Sequence, residues 1–353
     1  MSDSGKTLTT LAALGARGLV PAQEHGALAD VAARYAIALT PALADLIDPH
    51  DPADPIARQF VPDVRELTTA PGEHADPTGD GPHSPLPGLV HRHPDRVLLK
   101  LVHVCPVYCR FCFRRAVVGP DGAGTLPAEA LEAALGYIAA DPGIWEVILT
   151  GGDPLMLSAR RIREVVARLA AISHVQIIRW HTRVPVAAPE RITPEVVAAL
   201  AAADKTTYVV LHTNHARELT PAVAAACNRL IAAGIPMVSQ SVLLKGVNDT
   251  VAALSALFRR LVALRIKPYY LHHADLAPGT AHLRTTLAEG QELVRRLQQT
   301  LSGLALPTYV LDIPGGYGKV PVGAAHVHAI AGDPTRLEIE DATGRRHAYP
   351  PED

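Results

Sequence analysis

The chain has 353 residues, with 33 Lys plus Arg against 35 Asp plus Glu, and its formal net charge of −2 offers no bulk attraction for nucleic acid. Apolar residues make up 48% and charged residues 19%, a globular balance, and the length allows one barrel-type domain with extensions or two ordinary domains. The longest apolar run, VVAALAAA (196–203), is far too short to span a bilayer, and the N-terminus MSDSGKTLTTLAALGARGLV lacks a basic start followed by a clean apolar run, so the expectation is a cytoplasmic protein with no membrane partner.

Residues 1–88 open with helical patterning (EHGALADVAARYAIAL, 24–39). They then turn rich in Pro, Asp, His and Gly (DPHDPADPIARQF, 48–60; GEHADPTGDGPHSPLPG, 72–88). This reads as a helical accessory segment followed by a long irregular connection.

From residue 89 a rhythm begins. Strand-like runs occur at 96–104, 146–150, 175–180, 207–212, 236–242, 266–271 and 308–312. Helical patterns separate them. In SARRIREVVARLAAI (158–172) the apolar residues Ile162, Val165, Val166, Leu169 and Ile172 keep to one helical stripe. ITPEVVAAL and LTPAVAAACNRLIAAG each open with Thr then Pro, a cap followed by a first-turn proline, and the second closes on Gly234. Strands alternating with helices predict an α/β fold with a parallel sheet. A full or partial β/α barrel over 89–322, followed by a short tail (323–353), suits the count better than a doubly wound sheet, because no G-x-G-x-x-G follows any strand.

The chemical residues fall at strand ends, where such barrels carry their sites. The cysteine loop CPVYCRFCFRR (105–115) follows the first strand, LTGGDPL (149–155) the second and HTR (181–183) the third. His212 ends the fourth, Gln240 lies in the fifth, Asp275 follows the sixth and Asp312 ends the seventh. Cys105, Cys109 and Cys112 are spaced C-x-x-x-C-x-x-C, and the chain's one other cysteine, Cys227, sits on an apolar helical run as a small hydrophobe. Three clustered thiols read as a metal or cluster site. A zinc scaffold without catalysis would need His103 or Cys227 as a fourth ligand, whereas an iron–sulfur cube with three thiolates leaves one iron open to a small molecule. Lys319 lies in a glycine-rich setting, DIPGGYGKVPV (312–322), that fails as a phosphate-binding P-loop because Val320 follows the lysine and Ile313 stands where the first glycine should be. A lysine on such a loop suits a Schiff base to pyridoxal phosphate (PLP).

The cysteine spacing, with Phe111 just before the last cysteine, resembles the radical S-adenosylmethionine (SAM) motif. The ordered set HPDRVLLK, CPVYCRFCFRR, LTGGDPL, RVPVAAPERIT, HTNHARELT, SQSVLLKGVND, KPYYLHHADLAPGTAHLRT and DIPGGYGKVPV resembles, over residues 88–325, the lysine 2,3-aminomutase family, radical SAM enzymes that also use PLP. The resemblance implies a 4Fe–4S cluster on the three cysteines. It also implies Phe111 near the SAM adenine, and Gly151, Gly152 and Asp153 around the SAM amino group, with His212 and Gln240 also at the cofactor. Lys319 becomes the Schiff-base lysine, and Arg92 and Arg96 the partners of the PLP phosphate. Arg114 is assigned to the substrate carboxylate, and Asp275 with Asp312 to its ε-ammonium.

The implied activity is a radical 1,2-amino shift converting L-lysine to β-lysine, helped by an electron donor, in a possible homo-oligomer. The alternative is a short-type enzyme supplying β-lysine for elongation factor P modification. Two departures stand out. His272, His273 and Ala274 occupy positions where the family suggests Tyr-Gln-Cys, and no cysteine follows Cys227, so no zinc is expected.

Overall fold

Side-chain alternation along the strands divides the central sheet into an apolar face and a polar one. On β2 (Arg96–Val102), Val97, Leu99 and Leu101 are buried on one face while Arg96, Leu98 and Lys100 point to the other. The same division runs through β3 (Glu146–Gly151) and β4 (Ile177–Thr182), where Val147, Leu149, Ile178 and Trp180 are each 0% exposed. Four further strands complete the parallel run: β5 (Thr206–His212), β6 (Met237–Leu243), β7 (Lys267–His273) and β8 (Thr308–Asp312). The computed structural model describes residues 5–119, 124–330, 333–341 and 343–349.

Strands β2 to β8 pair in parallel in chain order, which excludes a doubly wound sheet with a switch point. Antiparallel partners flank this run: β1 (Leu89–His93) on β2 and β9 (Lys319–Pro321) on β8. Among the described residues no ladder joins β1 to β9, so the architecture is a partial barrel. At three residues β9 is too short to carry a periodic signal, and β1 (LVHRH) turns polar after two apolar residues, so the sequence reading missed both.

The intervening helices pack on the apolar face. Helix Ala159–Ala170 starts at Ser158, whose hydroxyl accepts from the Arg161 amide, and buries Ile162, Val165, Val166 and Leu169 as the stripe predicts. Thr193 and Thr220 cap Pro194–Leu200 and Pro221–Ala232 in the same way, each ahead of a first-turn proline. Cys227 lies 1% exposed in the second of these, and burial pushes its thiol up to about 12.

The N-terminal segment forms helices Leu11–Ala16 and His25–Arg34 and then crosses the mouth of the partial barrel, tied down by acids that the sequence reading had left in an irregular connection. Asp54 pairs with Arg217, Glu73 with Arg284, and Glu66 with both Arg110 and Arg115, and all three acidic side chains are 0% exposed. Beyond the sheet, the expected tail contains a three-stranded antiparallel sheet of β10 (Val327–Ile330), β11 (Asp333–Glu340) and β12 (Arg346–Tyr349). No described helix is long and apolar enough to cross a membrane.

Candidate active site

The cysteine loop leaves β2 and runs beneath the N-terminal segment. The Tyr108 amide donates to Ala38 O (3.0 Å) and the Arg110 amide to Gln59 O (2.8 Å). Arg110 Nε donates to Glu66 Oε1 (2.9 Å), and the Arg115 guanidinium lies 3.5 Å from the centroid of the Tyr35 ring. Held this way, Cys105, Cys109 and Cys112 share the rim of a cavity of about 50 Å³. Burial raises all three thiols, Cys109 to about 11. Arg183 Nη1 donates to Cys109 Sγ at 3.4 Å, giving that sulfur a cationic neighbour.

Among the described residues, no three His, Cys, Asp or Glu side chains are gathered closely enough to hold a single metal ion. Thiolates on a cube each take a different iron, so they stand wider apart than ligands around one zinc. Three thiols on one loop, with a guanidinium against one sulfur, are a donor set that suits such a cluster. Phe111 packs against a small apolar group containing Leu244, Val247, Ala274 and Leu283, with Arg183 5.6 Å from its ring centroid.

At LTGGDPL, a Cβ on Gly151 would lie 2.2 Å from Val102 O and one on Gly152 2.3 Å from Val104 O, so the neighbouring backbone alone requires glycine at both positions. Asp153, expected at the SAM amino group, is surrounded by donors of the protein itself. Asp153 Oδ1 accepts from Thr182 Oγ1 (2.7 Å) and Leu155 N (3.1 Å), and Oδ2 from Arg183 N (2.6 Å) and Val184 N (3.1 Å). Four donors fill the lone-pair positions of one carboxylate. Asp153 therefore ties the loop after β3 to the loop after β4, the loop that aims Arg183 at Cys109.

The polar face of the sheet encloses a cavity of about 480 Å³, whose walls include Arg92, Arg96, Arg114, His212, Gln240, Asp275, Asp312 and Lys319. It extends below the strand ends to Glu146 and Arg179, which form an ion pair at 2.8 Å. Arg114 Nη1 donates to Thr150 Oγ1 (3.0 Å), and its Nη2 to Asp80 Oδ2 (3.2 Å). Arg92 Nη2 donates to Thr78 O (2.7 Å) and Asp80 Oδ1 (3.1 Å), while Arg96 pairs with Asp95 at 2.7 Å.

Asp80, which the sequence reading missed, thus joins two cavity arginines, and Lys100 stands 3.9 Å from it. These cations hold its carboxyl below the usual range against burial. Its loop is seated on the glycine-rich hairpin, since a Cβ on Gly79 would fall 2.4 Å from Gly316 N.

His181, which the sequence places with HTR at the end of the third strand but to which it gives no role, also lines this cavity. Its ring centroid lies 5.5 Å from that of His212, and burial holds His181 well below the ordinary histidine value and His212 at about 3. Polar residues at alternate positions of an apolar strand (Arg179, His181) were the signal available for it.

At the far end, Lys319 opens β9 opposite Asp312, which closes β8, and the two side chains form an ion pair. His272 Nδ1 lies 3.3 Å from Lys319 Nζ and 3.4 Å from Asp312 Oδ2. Hydrogen bonding from His272 and the Lys319 charge hold Asp312 well below the carboxylate range although burial opposes them. Asp275 does the opposite. Burial, reinforced by the Asp312 charge, raises it to about 7.

Residues 99–255 match the Radical SAM superfamily, the class already suggested by a partial barrel with three cysteines after its first parallel strand. An L-lysine 2,3-aminomutase of Clostridium subterminale is 41% identical over 300 residues, covering 85% of this chain and 72% of that protein. One of Fusobacterium nucleatum is 39% identical, covering 87% and 72%, and a glutamate 2,3-aminomutase of Clostridioides difficile is 33% identical, covering 85% and 70%. The chain belongs to the lysine 2,3-aminomutase family of radical SAM isomerases. That membership implies SAM and a 4Fe–4S cluster.

Proposed function

We propose that the protein converts L-lysine to β-lysine by a radical 1,2-amino shift that uses PLP as well as SAM and the cluster. The observation that carries the reading is the mixed charge lining of the 480 Å³ cavity, in which Arg92, Arg96 and Arg114 share the walls with Asp275 and Asp312. L-Lysine carries a complement for each sign, a carboxylate for an arginine and an ε-ammonium for the aspartates. L-Glutamate would bring a second carboxylate towards Asp275 and Asp312.

The donor set fits PLP. Lys319 supplies an amine, Arg92 and Arg96 supply cations for a phosphate, and the buried Arg92 Nε, His212 Nε2 and His272 Nε2 have no hydrogen-bond partner among the described residues. When bound, the cluster with SAM supplies a 5′-deoxyadenosyl radical, and PLP supplies a C=N π-bond across which nitrogen migrates.

The chain's own side chains do the rest. Cys105, Cys109 and Cys112 hold the cluster. Arg114, aligned by Thr150 and Asp80, receives the α-carboxylate. Asp275 and Asp312 receive the ε-ammonium, and a neutral Lys319 leaves Asp312 free to do so. The N-terminal segment, through Glu66, Asp80 and the seat of Gly79 on the hairpin, closes the mouth against water.

The test is anaerobic reconstitution with iron, sulfide, PLP and SAM, followed by chromatographic identification of products from L-lysine and L-glutamate. β-Lysine formation with little turnover of glutamate is expected. Preferential turnover of glutamate would reject the assignment.

A further inference from the structure

Arg183, from the loop after β4, reaches a thiol of the cysteine loop. Its Nη1 donates to Cys109 Sγ at 3.4 Å, and its side chain is only 8% exposed. Several contacts fix it there. Asp153 Oδ2 accepts from the Arg183 amide (2.6 Å), and the guanidinium carbon lies 5.0 Å from the ring centroid of Phe60 and 5.6 Å from that of Phe111. Nη2 donates to Glu218 Oε2 (2.6 Å) and to Gln59 Oε1 (3.1 Å).

Glu218 is held as firmly. It is 0% exposed, and its Oε1 accepts from the amides of Asn214 (2.9 Å) and His215 (2.8 Å) and from Gln59 Nε2 (3.2 Å). Cys109, Arg183 and Glu218 therefore form a buried chain of contacts with the cation in the middle. Gln59, from the N-terminal segment, touches both charged side chains.

We infer that this chain of contacts sets the reduction potential of the cluster, with Arg183 raising it and Glu218 limiting the rise. The inference rests on the reading of Cys105, Cys109 and Cys112 as cluster ligands and is independent of the substrate. On reduction the cluster takes one electron from an external low-potential donor and gains one negative charge, with no bond made or broken. A cation against one thiolate stabilises that reduced form more than the oxidised one, and burial keeps water from screening the effect. A buried carboxylate does the reverse. Glu218 meets the guanidinium rather than the sulfur, so it offsets only part of what Arg183 contributes.

A merely structural pair would behave differently. Loosening either partner would then let water into the same place and move the potential in the same direction for both variants. Opposite shifts are the signature of charge.

The test is a redox titration of the full chain, reconstituted anaerobically with iron and sulfide and without SAM. Titanium(III) citrate is the electron donor, and the electron paramagnetic resonance signal of the reduced cluster is the readout. At the parent's midpoint, Arg183→Gln should shift the reduced-to-oxidised ratio about tenfold towards the oxidised form, a fall of about 59 mV for a one-electron couple. Glu218→Gln should shift the ratio the other way, by up to about tenfold. The double variant removes the pair without stranding a buried charge, so it should load iron even where the single variants do not. Its midpoint should lie below the parent's and above that of Arg183→Gln.

Unchanged midpoints in the iron-loaded single variants, or shifts of one sign in both, overturn the inference. So does a double variant at or above the parent's midpoint. Failure of the parent to take up iron rejects the cluster reading itself and this inference with it, whereas unchanged midpoints in loaded variants reject this inference alone.

Discussion

Lys319 and Asp312 are register partners across the hairpin of β8 and β9, so the candidate cofactor lysine and one of the candidate substrate carboxylates are fixed to each other by backbone pairing. The pairing makes their charges interdependent. Asp312 holds the Lys319 ammonium in the same place it is proposed to hold the ammonium of lysine.

Asp312→Asn should therefore cut L-lysine turnover while Lys319 still fixes PLP on borohydride reduction. Truncating one partner of a buried charge pair costs about 2–5 kcal/mol, a loss of about thirty- to several-thousandfold. Steady-state rates and mass analysis of the GGYGKVPV peptide check the two halves. Turnover at the parent rate, or label on Lys245 or Lys267, would show that the hairpin is misassigned.

Asp275 gives the site a pH dependence of definite sign. Its carboxyl is raised to about 7 by burial and by Asp312, and it must be ionised to hold an ammonium. Below that value, binding lysine has to expel a proton, so KM should fall up to about tenfold per unit as pH rises and level off above it. In the ligand-free protein the raised value acts against stability. The unfolded carboxyl titrates near 3.8, so between 3.8 and about 7 the native state binds the extra proton and stability declines as pH rises. Asp275→Asn should remove both dependences. A KM profile for parent protein that is flat from pH 6 to 8 would refute the assignment.

Glu66 provides a stability test away from the reacting groups. It is 0% exposed and pairs with Arg110 and Arg115, both on the cysteine loop. Glu66→Gln leaves two buried guanidiniums short of a charge, an effect of about 3–5 kcal/mol. Arg65→Ala removes a pair with Asp63 in which the arginine is 50% exposed, and should cost less than about 1 kcal/mol. Equal denaturant midpoints for the two variants would mean that the Glu66 network does not hold the loop.

What the sequence revealed followed from periodicity and spacing. The seven parallel strands and the stripe Ile162, Val165, Val166, Leu169 repeat regularly, and three cysteines within eight residues are hard to read as packing. Asp80 and Glu66 were invisible because an acid in a Pro- and Gly-rich stretch looks solvated until the fold places arginines against it. The surroundings of Asp153 were hidden for the reverse reason. A glycine–aspartate turn suggests a ligand, but the four protein donors around this carboxylate come from the turn itself and from the end of the next strand, which no local pattern could show. His272 depends on a contact between β7 and a hairpin residue 47 positions later.

The cysteines separate cluster ligands from packing. Cys105, Cys109 and Cys112 line one small cavity, whereas Cys227 is 1% exposed in a helix with Val223, Ala226 and Leu230 buried beside it. Anaerobically reconstituted parent protein should hold about four irons per chain. Single serine substitutions at each of the three loop positions should lower iron and abolish the electron paramagnetic resonance signal of the reduced cluster, because a cube with three protein thiolates has none to spare. Cys227→Ala removes one sulfur from an aliphatic environment and should leave iron content and signal unchanged, with a stability loss of roughly 1 kcal/mol, small for a core truncation. Iron lost on changing Cys227, or stoichiometric zinc without iron uptake in the parent, would overturn the assignment of the loop as a cluster site.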